Sequence, residues 1–452
     1  MSLKKISQQQ KIILKNCNKF LTQERKKNID TSISPLCFFT VWAKTPGYFK
    51  IYDLNGFKKN QLIFTFKNLL SISKNFDKKL FLKNKKISSS ANNLIISYST
   101  KQNFDFRGNF FDNNFNFDSK NKNFFWLLIS LDNYVPPKIQ ENIAIIAKKN
   151  NTSFSLKYLL KHLMQTLIIS KFNVNTIKHY CWQEFNFSKL ILETLKKILN
   201  NLKIENLILN YEGVPFQNYV INEIKKINNK LKTIGYLHCA PWPLQLDLIY
   251  KNQALDMMIV SGQEQKKVLR KYYGWSKKNI NVIPSLRFER KKQKEFSGFI
   301  FVPYNLENEF NYLKRFEMYL AENKKISCNF KVRIHPLNLN SKPHLDFKNK
   351  CEILLSKYAI KKKGKPQNHS LLFGSATGIC IQALEEGTTI THFPNDENLD
   401  VFSPTIWSNL NVKKSGEKTY IYKLKKKNYT FLTNNEKKKF QKYFKPLLKK
   451  PH

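Results

Sequence analysis

Apolar residues fall along this chain in short runs separated by longer amphipathic stretches. The pattern is regular from Asn92 onward. NLIISYS, FFWLLISL and NIAIIAK are apolar runs of strand length, the second closed by Pro136 and Pro137. SLKYLLKHLMQTLIISKF and SKLILETLKKILNNL follow, with apolar residues three and four apart, which predicts helices. NLILNYEGVPF and KTIGYLHCAPWP then read as strands running into loops, with FQNYVINEIKKINNKL as a helix between them. DMMIVSG is a further strand, SGQEQKKVLRKYYG a helix capped by Ser261, and NINVIPS a strand. The charged LRFERKKQKEF breaks the rhythm, which resumes with GFIFVPY, LENEFNYLKRFEMYLAE, NFKVRIHP, CEILLSKYAI, SLLFGS, TGICIQALEEG and TTITHF. CEILLSKYAI fits either a helix or a strand. Strands alternating with helices predict βαβ units, hence an α/β fold with two Rossmann-like domains facing a cleft.

The expected division is a basic N-terminal segment over 1–90, part of or packed on the first domain. A Rossmann-like domain over 91–285, a second over 286–425 and a basic tail over 426–452 follow. Residues 1–90 are harder to read: a basic helical opening, PLCFFTVWA as a buried strand, and QLIFTFKNLLSI as a strand or a short helix. FDFRGNFFDNNFNFD, after the first clear strand, reads as a polar loop with three acidic residues. In the tail, NNEKKKFQKYFKPLL has a helical pattern suited to packing back on the surface.

Composition adds a constraint on partners. The chain has 452 residues, 78 Lys+Arg against 32 Asp+Glu, and a formal net charge of +46, which favours polyanions. The lysines are spread out and rise together with Asn, Ile and Phe, so most of the charge belongs to solvated faces. With no nucleic-acid-binding motif present, no specific nucleic acid is expected, whereas peripheral contact with an anionic membrane is. The seven cysteines are odd in number and lack C-x-x-C spacing, which argues against a disulfide framework or zinc site and for a reducing compartment. MSLKKISQQQKIILKN has no apolar signal core, and the longest apolar runs fall far short of the ~20 residues of a membrane span. The expected location is cytoplasmic, peripheral on the inner face of the membrane.

Several polar tips could carry chemistry. In FKVRIHP, strand alternation puts Val332 and Ile334 on one face and Arg333 and His335 on the other, with Pro336 ending the strand. A histidine at a strand mouth can donate to a phosphate oxygen; it can equally be a surface residue before a turn. In LLFGSATGICIQALEEG, Gly374 and Gly378 allow close backbone approach, and Ser375 and Thr377 offer hydroxyls at a helix start, suiting an anion. An ordinary strand–turn–helix would look the same. Glu212, after NLIL, is a candidate general base, with Asp105 and Asp112 as rivals; a solvated loop carboxylate is the plain alternative. His238 and the proline-flanked Trp242 suit a sugar or base contact, or a packed loop wall. Ser285 and Arg287 lie near the domain junction.

Taken together, Glu212-Gly213, His335-Pro336 and Ser375 with Thr377 resemble three short motifs of the bacterial sialyltransferases, polysialyltransferases and Kdo transferases of the GT-B fold: acidic-glycine, HP and Ser-Ser/Thr. The resemblance covers roughly residues 92 to 425. It implies an acceptor domain followed by a donor domain, and an inverting transfer from a CMP-sugar to a glycan or lipid-linked acceptor in surface polysaccharide or lipopolysaccharide synthesis. It further implies Glu212 as base, and His335, Ser375 and Thr377 as holders of the leaving phosphate, with Arg333, Gly374 and Gly378 beside them. No metal and no cofactor beyond the donor would be needed. The chain departs from the pattern at Tyr211, where many relatives have a second carboxylate, at Ala376 between the hydroxyls, and at Gln382, where many GT-B enzymes have a ribose-binding glutamate. HP and Ser motifs also occur in glycerophosphate polymerases that use CDP-glycerol.

Overall fold

Helix α1, Leu3–Lys26, opens the chain with a Ser2 side chain accepting from the Lys5 N–H and with Arg25 and Lys26 in its last turn, where the helix dipole favours cations. Ile6, Gln10, Ile13, Leu14, Cys17, Phe20, Leu21 and Glu24 form its buried stripe. The structure is a computed structural model. It describes residues 1–39, 78–82, 90–148, 185–252, 255–284, 296–306, 308–323, 330–335, 338–358, 368–375 and 378–427, with scattered positions besides.

The first domain is built on strands β1 (Lys78–Leu82), β2 (Asn93–Ser99), β5 (Phe124–Ser130), β6 (Ile143–Lys148), β7 (Asn206–Asn210), β8 (Lys232–Tyr236), β9 (Met257–Val260) and β10 (Ile280–Val282). A short hairpin of β3 (Phe111–Asp112) and β4 (Phe117–Asp118) stands apart. The eight-stranded sheet has the order β1-β6-β5-β2-β7-β8-β9-β10. β1 runs antiparallel to β6, and all the other pairings are parallel. The chain moves outward from β2 through β5 to β6, then restarts on the other side of β2 at β7. That reversal is a Rossmann-type switch point, outside whose carboxyl edge open α/β sheets bind ligands. Helices α2 (Phe185–Asn201) and α3 (Pro215–Ile227) pack on each other, and α4 (Gln263–Tyr272) follows β9.

The second domain repeats the logic. β11 (Phe299–Phe301), β12 (Lys331–Arg333), β13 (His369–Phe373) and β14 (Thr389–Phe393) are parallel, and β15 (Leu410–Gly416) with β16 (Thr419–Leu424) adds an antiparallel hairpin. The order is β12-β11-β13-β14-β16-β15, so the reversal lies between β11 and β13. Helices α5 (Glu309–Glu322), α6 (Lys342–Tyr358), α7 (Gly378–Glu385) and α8 (Glu397–Asp400) complete it. This is the α/β, two-Rossmann architecture that the alternating pattern predicts.

Three local readings change, and one left open is settled. FDFRGNFFDNNFNFD is no simple polar loop: its hairpin buries Phe110, Phe115 and Phe117, with Phe110 against Trp126 and Phe115 against Tyr236. Pro35–Cys37 form a 3-10 turn where a strand was expected, and the rest of PLCFFTVWA lies outside the described residues, as does QLIFTFKNLLSI. CEILLSKY is the end of α6, which begins at Lys342 inside the lysine-rich spacer. The cap of α4 is Gly262, one residue after Ser261.

The two domains share one apolar core. α1 contributes Ile6, Ile13 and Phe20 to a cluster that also holds Leu94 and Leu207 of the first sheet and Val401 and Trp407 of the second domain. At one end of α1, Gln10 Nε2 donates to the carbonyls of Asn398 and Val401, each at 2.8 Å, and the Ser7 and Ser403 hydroxyls are 2.7 Å apart. At the other end, Arg25 donates to the Tyr250 carbonyl at 3.2 Å, and Glu24 meets the buried His179 at 3.2 Å. Trp407 Nε1 donates to the Pro243 carbonyl at 2.9 Å, and Glu264 Oε1 accepts from the Asn409 N–H at 2.7 Å. Phe444 of the tail is fully buried against Phe115 and Phe117, so the tail enters the first domain's core at that point. Among the described residues, no helix is long and apolar enough to cross a membrane.

Gln10 is fully buried, and its amide satisfies two carbonyls. Gln10→Ala should lower the unfolding free energy by about 1–3 kcal/mol, the usual cost of stranding buried polar partners. A denaturant titration of the variant against the parent chain measures it.

Candidate active site at the strand ends

At the carboxyl edge of the first sheet, β7 ends in Asn210 and the chain turns through Tyr211, Glu212 and Gly213 into α3. Gly213 has φ +76°, and a Cβ there would stand 2.6 Å from the Asp247 carbonyl oxygen, so the turn requires glycine. The first turn of α3 clamps this loop. Gln217 Nε2 donates to the Asn210 carbonyl at 2.7 Å, and its Oε1 accepts from the Glu212 N–H at 2.9 Å. Asn218 accepts from the Tyr211 hydroxyl at 2.8 Å and donates to the Gly213 carbonyl at 3.3 Å. The Glu212 backbone is thus held while its carboxylate stays 43% exposed, and the neighbouring burial pushes its pKa above the ordinary carboxylate value.

Beside it, at the end of β8, stand His238 and Cys239. His238 Nε2 lies 3.9 Å from Glu212 Oε1, Cys239 Sγ lies 3.2 Å from that nitrogen, and Sγ lies 4.0 Å from Glu212 Oε1. These three groups span the ends of two adjacent strands. Behind them runs a buried polar chain: Asn210 Nδ2 donates to Ser97 Oγ at 3.1 Å, and Ser97 donates to the Asp112 carboxylate. Asp112 also accepts from the Asn114 N–H at 2.6 Å and the Phe115 N–H at 2.9 Å. Burial still pushes its pKa up against those donors.

The three carboxylates therefore differ sharply. Asp112 is buried, with hydrogen-bond donors on both oxygens. Asp105 is exposed and organises its own turn, accepting from Asn109 Nδ2 at 2.7 Å and from the Arg107 and Asn109 N–H groups, which holds its pKa low. Glu212 alone of the three combines a switch-point location, a fixed backbone and an open carboxylate. Trp242 is half-buried in a loop whose next residue, Pro243, accepts from Trp407.

In the second domain, Gly374 and Ser375 follow β13 at the reversal point. Gly374 has φ +67°, and a Cβ would lie 2.9 Å from Pro303 Cβ, so the β11 and β13 tips converge closely here. Ser375 Oγ donates to Asp400 Oδ1 at 2.7 Å, while Asp400 Oδ2 accepts from the Asn395 and Asp396 N–H groups at 3.0 and 2.9 Å. Burial carries the Asp400 carboxyl up to about 6. α7 begins at Gly378, directly after this turn, and Gln382, half-buried on α7, makes a long contact of 3.4 Å to Glu386. Thr377 and Pro336, like Ser285 and Arg287, lie outside the described residues.

β12 and β13 flank β11 on opposite sides, so the HP and Ser tips are separated by one strand. Alternation in β12 holds: Val332 and Ile334 face the apolar cluster of this domain. His335 is half-buried and stands edge-on to Tyr304, three residues past the end of β11, with ring centroids 5.2 Å apart. Arg333 instead spreads its guanidinium over Phe296 and Phe299, 5.5 and 5.9 Å from their centroids, at the start of β11 rather than its mouth. The structure thus groups Glu212 with His238, and Gly374 with Ser375, and sets Arg333 and Asp105 apart. Sequence reasoning passed over Cys239, Gln217 and Asp400; adjacency to His238 was a signal for the first, and the others had none.

No protein-family model matches the chain, and no curated protein matches it. Among solved structures, it is distantly similar to the wall teichoic acid polymerase TagF. One TagF structure gives 8% identity and a TM-score of 0.29, covering 65% of this chain and 68% of that one. A second gives 8% and 0.26 over the same shares. A third, after a soak with CDPG, gives 10% and 0.29, covering 73% of this chain and 77% of that one.

The Asp400 carboxyl offers a direct test of the Ser375 turn. The Ser375 hydrogen bond opposes the effect of burial, so Ser375→Ala should move the Asp400 titration above about 6, read by carbon NMR of the carboxyl against pH. Because the folded carboxyl holds its proton more tightly than the ordinary value of 3.8, Asp400 favours the fold at low pH. It subtracts stability as pH rises from 3.8 through about 6.

Proposed function

We propose that the chain is a transferase that moves a group from a nucleotide-activated donor to a hydroxyl acceptor, as an inverting glycosyltransferase of surface carbohydrate synthesis with a CMP-sugar as donor. The observation that carries this is Glu212: an open carboxylate of raised pKa on a loop clamped by Gln217, at the switch point of a Rossmann-type sheet. A raised pKa brings a carboxylate closer to the working pH of a general base.

In this reading Glu212 takes the proton of the acceptor hydroxyl as its oxygen attacks the anomeric carbon, and the bond from that carbon to the phosphate oxygen breaks. Negative charge then builds on the departing CMP. The start of α7 is suited to receive it, as helix N-termini generally bind phosphate. His335, Ser375 and Thr377 supply donors beside them, and His238 and Trp242 serve the acceptor side. The motif resemblance supports this division of labour. The acceptor is a glycan or a lipid-linked glycan met at the cytoplasmic face of an anionic membrane, which the basic surface favours.

A CDP-glycerol donor is the second reading. It sends the same nucleotide, CMP, into the same loop, with attack at phosphorus instead of carbon; the shared leaving group is why the phosphate-facing half suits both.

Thermal melts with free nucleotides should show CMP raising the melting temperature more than UDP or GDP, since a ligand of the native state stabilises it by mass action. CMP release from a donor panel that includes CMP-sugars and CDP-glycerol then separates the two donors. Release from none of the CMP-, CDP-, UDP- or GDP-linked donors sinks the reading. Glu212→Gln should cut turnover by about 10²–10⁴-fold while CMP binding survives. The acid limb of the parent pH profile should lie above the ordinary glutamate value of 4.5 and vanish in that variant. His335→Ala should raise the barrier by about 2–4 kcal/mol, as loss of a charge-stabilising donor does.

A further inference from the structure

At the β7 and β8 ends, Cys239 stands beside Glu212 and His238 and has chemistry that the proposed transfer leaves unused. Glu212, His238 and Cys239 offer one oxygen, one nitrogen and one sulfur, all within 4.8 Å of one another. Their separations are 3.2, 3.9 and 4.0 Å. Donors around a tetrahedral zinc ion, at ~2.0–2.3 Å from the metal, sit about 3.4–3.6 Å apart. Each observed distance is therefore within about half an ångström of that geometry, a gap that side-chain rotation closes. Three protein donors leave a fourth position open, as in zinc sites that keep a water or exchangeable ligand.

Three further observations point the same way. Of the described cysteines, Cys17, Cys37, Cys351 and Cys380 are buried, whereas Cys239 is partly exposed and within reach of an ion from solvent. Glu212 is 43% exposed and forms the open side of the cluster, while His238 is only 10% exposed and forms its wall. The Gln217 clamp and the Gly213 turn fix the Glu212 backbone before any ion arrives. A sulfur donor beside an imidazole selects thiophilic ions such as Zn²⁺ over Mg²⁺ or Ca²⁺, which prefer oxygen.

We infer that Glu212, His238 and Cys239 form a binding site for a thiophilic divalent cation, Zn²⁺ foremost, and that its occupation switches off the transfer reaction. Coordination releases the thiol proton of Cys239 to solvent and engages the lone pair of Glu212. The inhibitory half of the inference rests on Glu212 being the base; the binding half does not.

The test uses the purified full chain, stripped with chelator and titrated with Co²⁺ as the probe. A thiolate-to-cobalt charge-transfer band in the near ultraviolet and tetrahedral visible bands should grow to one equivalent, and Zn²⁺ should displace both. Cys239→Ser should abolish the charge-transfer band, and His238→Ala should weaken Zn²⁺ binding by about tenfold or more, as expected when one of three ligands is lost. Circular dichroism and thermal melts confirm that each variant is folded. Absence of a thiolate band in excess Co²⁺, or an unchanged band in folded Cys239→Ser, overturns the site. Transfer that runs undiminished with the site saturated by Zn²⁺ overturns the switch. Metal binding with no transfer from any donor leaves the site standing and defeats the transferase reading instead.

Discussion

The interaction on which the rest of the structure depends is the burial of α1 between the two domains. Its apolar residues Ile6, Ile13, Leu14, Phe20 and Leu21 join a core that includes both sheets' flanking residues. Each such side chain contributes about 1.5–3 kcal/mol when fully buried, against about 1 kcal/mol net for a typical hydrogen bond. Apolar packing therefore outweighs the polar contacts. Gln10 and the Ser7–Ser403 pair chiefly set the register at which the helix lies. With α1 in place and Trp407 seated on the Pro243 carbonyl, the second domain is fastened next to the loop that carries His238 and Cys239.

The two strand-end loops are then built by the same device in different chemistry. In each, a glycine at positive φ lets the chain turn where a side chain would strike the neighbouring loop, the Asp247 carbonyl at Gly213 and Pro303 at Gly374. In each, a buried or clamped polar partner finishes the turn: Gln217 for Glu212, Asp400 for Ser375. The difference lies in what is left open. The first loop leaves a carboxylate partly facing solvent, and the second ties its serine hydroxyl to the buried Asp400.

Much of this was legible because strands covered on both faces read as unbroken apolar runs. FFWLLIS is buried at every position, and the sequence rhythm from Asn92 located it and its neighbours. The 104–118 segment misled because Phe110, Phe115 and Phe117 are scattered among Asn and Asp, whose polarity hides three core rings. α6 was obscured in the same way: its buried stripe of His344, Phe347, Cys351 and Leu355 is thin and set among lysines. Strand ends could be found, so Glu212 and Ser375 could be nominated. Strand order could not, so the meeting of Glu212 with Cys239, 27 positions away, and the β11 strand standing between the HP and Ser tips were beyond the sequence pattern.

The partners of Gln10 lie 388 and 391 positions further along the chain, and that of Ser7 396 positions. At a synthesis rate of roughly 5–20 residues per second, α1 leaves the ribosome about 20–80 s before they exist. Through that interval the part of its stripe that packs on the second domain has no docking surface, and the rings of Phe115 and Phe117 wait across a somewhat shorter stretch of chain for Phe444. Folding of such long-range contacts is intrinsically slow and exposes sticky intermediates. The core around α1 thus closes only after residues near 398–403 have been made, long after the helix itself.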